Sequence, residues 1–134
     1  MIKNEKQYNI SKKRLKEIQA ILKEKKAKVG TKEAGALASL AVMMDDIQNQ
    51  IKQFEDLKIK GIPLRRKITV AQLPNILIEH KIAKGLTQKQ YSEILGIKEQ
   101  QLQRYEAENY SSVSFGRLLD YLEKAKIKIN LAVE

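Results

Sequence analysis

Gly85-Leu86-Thr87-Gln88-Lys89-Gln90-Tyr91-Ser92-Glu93-Ile94-Leu95-Gly96-Ile97-Lys98-Glu99-Gln100-Gln101-Leu102-Gln103-Arg104-Tyr105-Glu106 is the stretch on which the reading of this chain turns. Gly85 stops the preceding helix, because glycine enters the left-handed region at a helix end without steric cost. Thr87 is a good N-cap, and Gln90 stands where its side chain completes a capping box. That helix has room only to Leu95, since Gly96 permits a tight turn. A further helix begins at once. Two short helices joined by a turn of about three to four residues containing glycine form a helix-turn-helix. Ser92 supplies a small side chain where the two would approach closely.

The second of these helices divides into two faces at about 100° per residue. Leu102 and Tyr105 fall on one side; Glu99, Gln100, Gln103 and Arg104 fall on the other. The first side docks inward and the second offers amides and a guanidinium outward. A major groove admits an α-helix, and there Gln pairs with adenine and Arg with guanine in bidentate fashion. Tyr91, Tyr105, Phe115 and Tyr121 occupy apolar helical positions and are expected in the core, while Tyr110, in the 107–113 loop, is placed either in the core or against a nucleic-acid backbone.

With those residues in view, the segment resembles the Cro/CI-type (XRE) helix-turn-helix family of bacterial and phage regulators. The shared pattern is Leu86-Thr87-Gln88, the small Ser92, Leu95-Gly96-Ile97 and the ending Leu102-x-x-Tyr105-Glu106, and the resemblance covers about residues 73–124. It implies a five-helix domain that binds double-stranded DNA. It implies that Gln88 bonds a phosphate and that Glu99, Gln100 and Arg104 take the base-reading positions, with Gln103 at the edge. Lys98 departs from the pattern, standing where the family has a Ser or Thr cap, and so does the acid at Glu99. An acid there repels phosphate but accepts from cytosine N4 or favours the helix N-terminus electrostatically.

Outward from this segment the chain remains helical in period. Segments near 71–84, 88–95, 99–106 and 114–125 make up the second half. Ile127, Ile129, Leu131 and Val133 then alternate strictly with Lys126, Lys128 and Asn130, which predicts a short half-buried C-terminal β-strand. A lone strand must pair, either with Arg66–Val70 or with its own copy in a dimer. The fold class expected is therefore mainly all-α: an N-terminal helical hairpin, a helix-turn-helix domain and that strand.

Lys60-Gly61-Ile62-Pro63 is the strongest break. It sets three regions: 1–61, a hairpin for oligomerisation or partner binding; 62–72, a basic linker; and 73–134, the DNA-binding domain with its strand. Arg65, Arg66 and Lys67 in the linker are candidates for an arm on the DNA backbone. In the first region a helix is expected from near Ser11 to near Lys28, ended by Gly30, and another after Thr31. Leu37, Leu40, Met44, Ile47, Ile51 and Phe54 step along the second at +3 and +4, a seam suited to oligomerisation. Residues 1–28 carry ten Lys and Arg against three Glu, a net of +7, and residues 31–57 a net of −3, so the two helices should attract. A two-helix hairpin is a thin core, and the seam is expected to be completed by a second copy or by another protein.

The order of elements and the opening Ile2-Lys3-Asn4-Glu5-Lys6-Gln7-Tyr8 also resemble small prokaryotic regulators in which a helical pair precedes such a domain. Some relatives of that kind are HigA-type antitoxins. That resemblance implies an alternative to a dimeric repressor on a palindromic operator: an antitoxin that holds a toxin protein through its N-terminal helices and represses its own operon.

Composition agrees with a nucleic-acid partner and removes other classes. Of 134 residues, 26 are Lys or Arg and 16 Asp or Glu, a net charge of +10. There is no Cys and only one His, which excludes disulfide scaffolds, thiol nucleophiles and Cys- or multi-His metal sites within one chain. His80 is expected as an ordinary helical side chain. Asp45-Asp46 and Glu55-Asp56 are adjacent on a helix and do not face each other. With no glycine-rich phosphate loop and no Ser/His/Asp set, no catalytic residue, cofactor, metal or small-molecule substrate is expected. No targeting segment is visible, and the longest nearly apolar run, Ala34–Met44, is eleven residues where a membrane span needs roughly 20. A cytoplasmic protein without a membrane partner is expected.

Overall fold

The computed structural model describes residues 1–25 and 30–134. Every element in them is helical: α1 (Glu5–Glu24), α2 (Lys32–Lys60), a single 3₁₀ turn at Val70–Gln72, α3 (Leu73–Ala83), α4 (Gln88–Leu95), α5 (Glu99–Ala107) and α6 (Phe115–Lys124). They fall into two compact units, Met1–Asp56 and Leu57–Glu134.

In the first unit, α1 begins six residues earlier than Ser11. Asn4 caps it, its side chain accepting from the backbone N–H of Gln7 at 2.9 Å, while the Gln7 side chain accepts from the N–H of Lys3. The helix ends at Glu24 with Lys25 extended; its expected fading near Lys28 lies outside the described residues. Thr31 caps α2 as expected, accepting from Ala34 N–H at 3.1 Å. Tyr8, near the start of α1, stacks on Phe54, near the end of α2, with ring centroids 4.8 Å apart, so the pair is antiparallel. Ile18, Ile51 and Phe54 are buried, but Leu37, Leu40, Met44 and Ile47 are only half-buried. The seam is closed at one end and open along the rest.

In the second unit four α-helices stand where five were expected, preceded by the 3₁₀ turn. Pro74 in the first turn of α3 supplies a suitable φ and removes an N–H that would lack a partner anyway. The core is Leu73, Ile76, Leu77, Ile78 and Ile82 of α3 with Tyr91, Leu95, Leu102, Tyr105, Leu118, Tyr121 and Leu122. Phe115, expected in this core, is 56 % exposed. The buried arc of α6 is set by Leu118, Tyr121, Leu122 and Ala125, and at about 100° per residue Phe115 and Leu119 fall on its flank. Tyr110 is buried instead of facing a backbone. It lies 5.8 Å from the Tyr105 ring, and burial pushes its hydroxyl above the ordinary tyrosine range.

The C-terminal strand does not form. Lys126, at φ +58°, ends α6: its N–H donates to the carbonyl of Glu123, and that of Ile127 to the carbonyl of Leu122, both at 2.9 Å. Beyond that, residues 128–134 make no hydrogen bond among the described residues. The 62–70 segment and the tail line a common groove but do not pair with each other among the described residues. Arg65 at φ +55° breaks its extended run, and Arg66 is tied to Glu79 of α3 through both terminal guanidinium nitrogens. Arg65, Arg66 and Lys67 set beside Lys126 and Lys128 would also place like charges across a ladder, which is destabilising.

Candidate nucleic-acid interface

The turn that aims the interface is built by local chemistry. Thr87 Oγ1 accepts from Gln90 N–H at 3.1 Å and Gln90 Oε1 accepts from Thr87 N–H at 2.9 Å, so α4 starts with two of its free donors satisfied. It stops at Gly96, whose φ of +72° would strain any residue with a Cβ. Ile97 N–H then reaches back to the carbonyl of Ser92 at 3.0 Å. The Ser92 hydroxyl is buried and donates to the carbonyl of Lys89 at 2.7 Å, which lets α4 and α5 pack directly.

This docking fixes the rotation of α5. Leu102 and Tyr105 are buried, and Gln101 is held half-buried by donating to the Tyr105 hydroxyl at 2.7 Å. Glu99, Gln100, Gln103 and Arg104 are all exposed on the opposite side. Lys98 is the N-cap residue and is exposed, but its side chain makes no cap bond. The first-turn acid Glu99 offsets that loss by favouring the positive end of the helix.

Gln88 is not free-standing. Its Nε2 donates to Glu106 Oε1 at 2.8 Å, and the same oxygen accepts from Lys81 Nζ at 2.7 Å. A carboxylate only accepts, so the nitrogen of the Gln88 amide must face Glu106, and its second N–H remains for another acceptor. Lys81 and Glu106 are each 2 % exposed. The arrangement ties α3, the start of α4 and the end of α5 together. Sequence reading missed it, though a signal existed: Lys81 lies on the face of α3 that carries Leu77 and Ile78, and Glu106 follows Leu102 by four residues. Each is a charge at an apolar-face position, and such charges are almost never buried unpaired.

Of the linker cations, Arg65 and Lys67 are exposed and Arg66 is engaged by Glu79. The described residues contain no group of His, Asp and Glu able to hold a metal, and no helix among them is long and apolar enough to cross a membrane.

Comparison with known proteins agrees with this geometry. The family model described as Helix-turn-helix matches residues 78–130, from within α3 through α6. No curated protein and no solved structure matches the chain. Residues 78–130 are thus a helix-turn-helix domain of the Cro/CI-type (XRE) kind, a regulatory rather than an enzymatic family, and the chain that carries them is a DNA-binding transcription regulator.

Proposed function

We propose that the chain is a sequence-specific repressor that sits as a dimer on a two-fold-symmetric operator. The observation that supports this best is the exposed ridge of Glu99, Gln100, Gln103 and Arg104 on a helix anchored behind by Leu102 and Tyr105. Gln100 and Arg104 read bases, each bidentate pair contributing about 1–3 kcal/mol of discrimination. Glu99 and Gln103 border them. Lys98 and the second N–H of Gln88 bind phosphate, and Arg65 and Lys67 add backbone contacts while Arg66 holds the linker to α3. The +10 net charge supplies salt-dependent affinity that carries no sequence choice.

Self-association is assigned to the N-terminal helices. The half-buried Leu37, Leu40, Met44 and Ile47 continue the seam that Ile51 and Phe54 close, and a second copy laid along α2 would complete it. The test is selection of bound fragments from random duplexes. An inverted repeat with half-site centres about 10–10.5 base pairs apart, or a multiple of that, is expected. Enrichment without a consensus, or of a lone half-site, overturns the proposal.

The same open seam favours a second reading, in which residues 1–61 hold a toxin protein and the DNA contact is autoregulatory. Co-expression with the product of an adjacent gene decides it. A stable complex that is lost on replacing Leu40 and Met44 with polar residues supports the antitoxin, and self-association with no such complex supports the repressor.

A further inference from the structure

We propose that the groove lined by α3, the linker and the C-terminal tail binds a linear alkyl carboxylate, its chain on the apolar floor and its headgroup at a cationic rim, and that this ligand competes with DNA. The competition rests on the backbone contacts assigned above to Arg65 and Lys67; the binding site does not.

The groove holds about 1280 Å³ and lies wholly within the second unit. Leu73 and Ile76 of α3, both buried, form its floor. Ile62 and Ile68 of the linker and Ile127 and Ile129 of the tail line it half-buried. Small-molecule sites have this character: concave, chiefly apolar, with a few polar groups that fix the orientation of the ligand.

The charge of the lining is of one sign. Six lining residues are Lys or Arg and one, Glu134, is an acid. Arg66 is engaged by Glu79, but Arg65, Lys67, Lys84, Lys126 and Lys128 have no ion pair among the described residues. A cleft lined by one sign of charge with low-dielectric walls concentrates counter-ions, so the fitting occupant is an anion. Its body is hydrocarbon, because a compact inorganic anion would gain nothing from the Leu and Ile surface. An extended peptide fits less well. Lys126 stands at φ +58°, and the N–H groups of Lys126 and Ile127 are already bonded to Glu123 and Leu122, so the start of the tail offers no strand edge.

The chain's single histidine reports on this site. His80 lines the groove and is half-buried. Its Nδ1 is 3.1 Å from the Tyr91 hydroxyl, and its other ring nitrogen makes no hydrogen bond among the described residues. Lys84 follows it by four residues, on the same face, so a carboxylate held by Lys84 lies beside the imidazole.

The test titrates the full-length protein with sodium decanoate at constant pH and follows the imidazole proton resonances of His80. A saturable one-to-one shift is expected, while acetate and decyltrimethylammonium at the same concentrations leave the resonances in place. From hexanoate through octanoate to decanoate, affinity should rise roughly two- to fourfold per methylene. Lys84→Gln with Lys128→Gln should weaken decanoate about tenfold or more. Lys13→Gln with Lys16→Gln removes the same charge from exposed positions on α1 and should cost less than about twofold. Unmoved His80 resonances, or an equal loss in the two double variants, overturn the site. Saturating decanoate should also weaken cognate and random duplexes alike, by about fivefold or more. Unchanged duplex affinity with the His80 shift saturated overturns the competition and removes Arg65 and Lys67 from the DNA contact. Failure to bind any duplex without decanoate counts against the repressor reading, and the His80 titration still decides the site.

Discussion

Lys81 Nζ lies 2.7 Å from Glu106 Oε1, and both side chains are 98 % removed from solvent. The pair joins the first helix of the DNA-binding domain to the last turn of the one that carries the reading face. Gln88 donates to the same oxygen, so the carboxylate sets the angle between the start of α4 and the end of α5.

Breaking that pair from one side should therefore cost far more than removing it whole. Lys81→Met leaves a buried carboxylate without its countercharge, a loss of about 3–5 kcal/mol. Lys81→Met combined with Glu106→Leu should recover most of this, because two apolar side chains of similar volume need no countercharge and the half-exposed Gln88 amide can turn to water. Urea denaturation of the three proteins checks it, and a single variant that loses under about 1 kcal/mol would place the pair in a wetter environment than its burial indicates.

Arg104 is exposed and aligned with Gln100 on α5. Arg104→Ala is expected to cost about 1–3 kcal/mol on the cognate site and to relax one base position. Competition binding against single-base variants of the operator is the measurement. An equal loss on every sequence would make Arg104 a phosphate contact.

The helix-turn-helix was legible because its signals are local. Gly85, the Thr87–Gln90 box, Ser92 and Gly96 act on neighbours within a few residues, so their spacing carries the geometry. The start of α1 was legible too, in Asn4 and Gln7, but Ser11 offered a competing cap nearer the apolar run. What depends on packing was not. Phe115 satisfies helical spacing yet lies on the flank of an arc set by Leu118 and Tyr121. Lys81 and Glu106 are 25 residues apart, and only the folded core brings them together. The tail alternates like a strand, but alternation cannot name a partner, and the extended segment that shares its groove, residues 62–70, is basic.

Gln88 separates positioning from reading. Gln88→Ala removes an amide that bonds Glu106 and faces solvent with its remaining N–H, so it should weaken binding to all duplexes alike and lower the slope of log affinity against log salt by less than one phosphate contact, about 0.9. Gln88→Glu should weaken binding more, by placing an anion both beside Glu106 and beside the DNA backbone. Salt titrations on cognate and random duplexes test this; a loss confined to the cognate site contradicts the phosphate role.

His80, the chain's single histidine, gives the domain a pH dependence of known sign. Its Nδ1 is 3.1 Å from the Tyr91 hydroxyl, which burial holds above the ordinary tyrosine range and therefore protonated. Burial lowers the His80 pKa below its ordinary value of 6.5, and the nearby Lys84 lowers it further. In the window between the folded value and 6.5 the unfolded chain binds more protons than the folded one, so stability rises with pH there. It should fall as pH drops through 6.5 toward the lowered folded value and level off below that value, where both states are protonated. His80→Gln keeps a polar partner for Tyr91 but cannot titrate, so its urea midpoint should change less over that range than that of the unaltered chain. A His80→Gln profile as steep as the original would overturn this assignment, since no other side chain in this sequence has an ordinary pKa near 6.5.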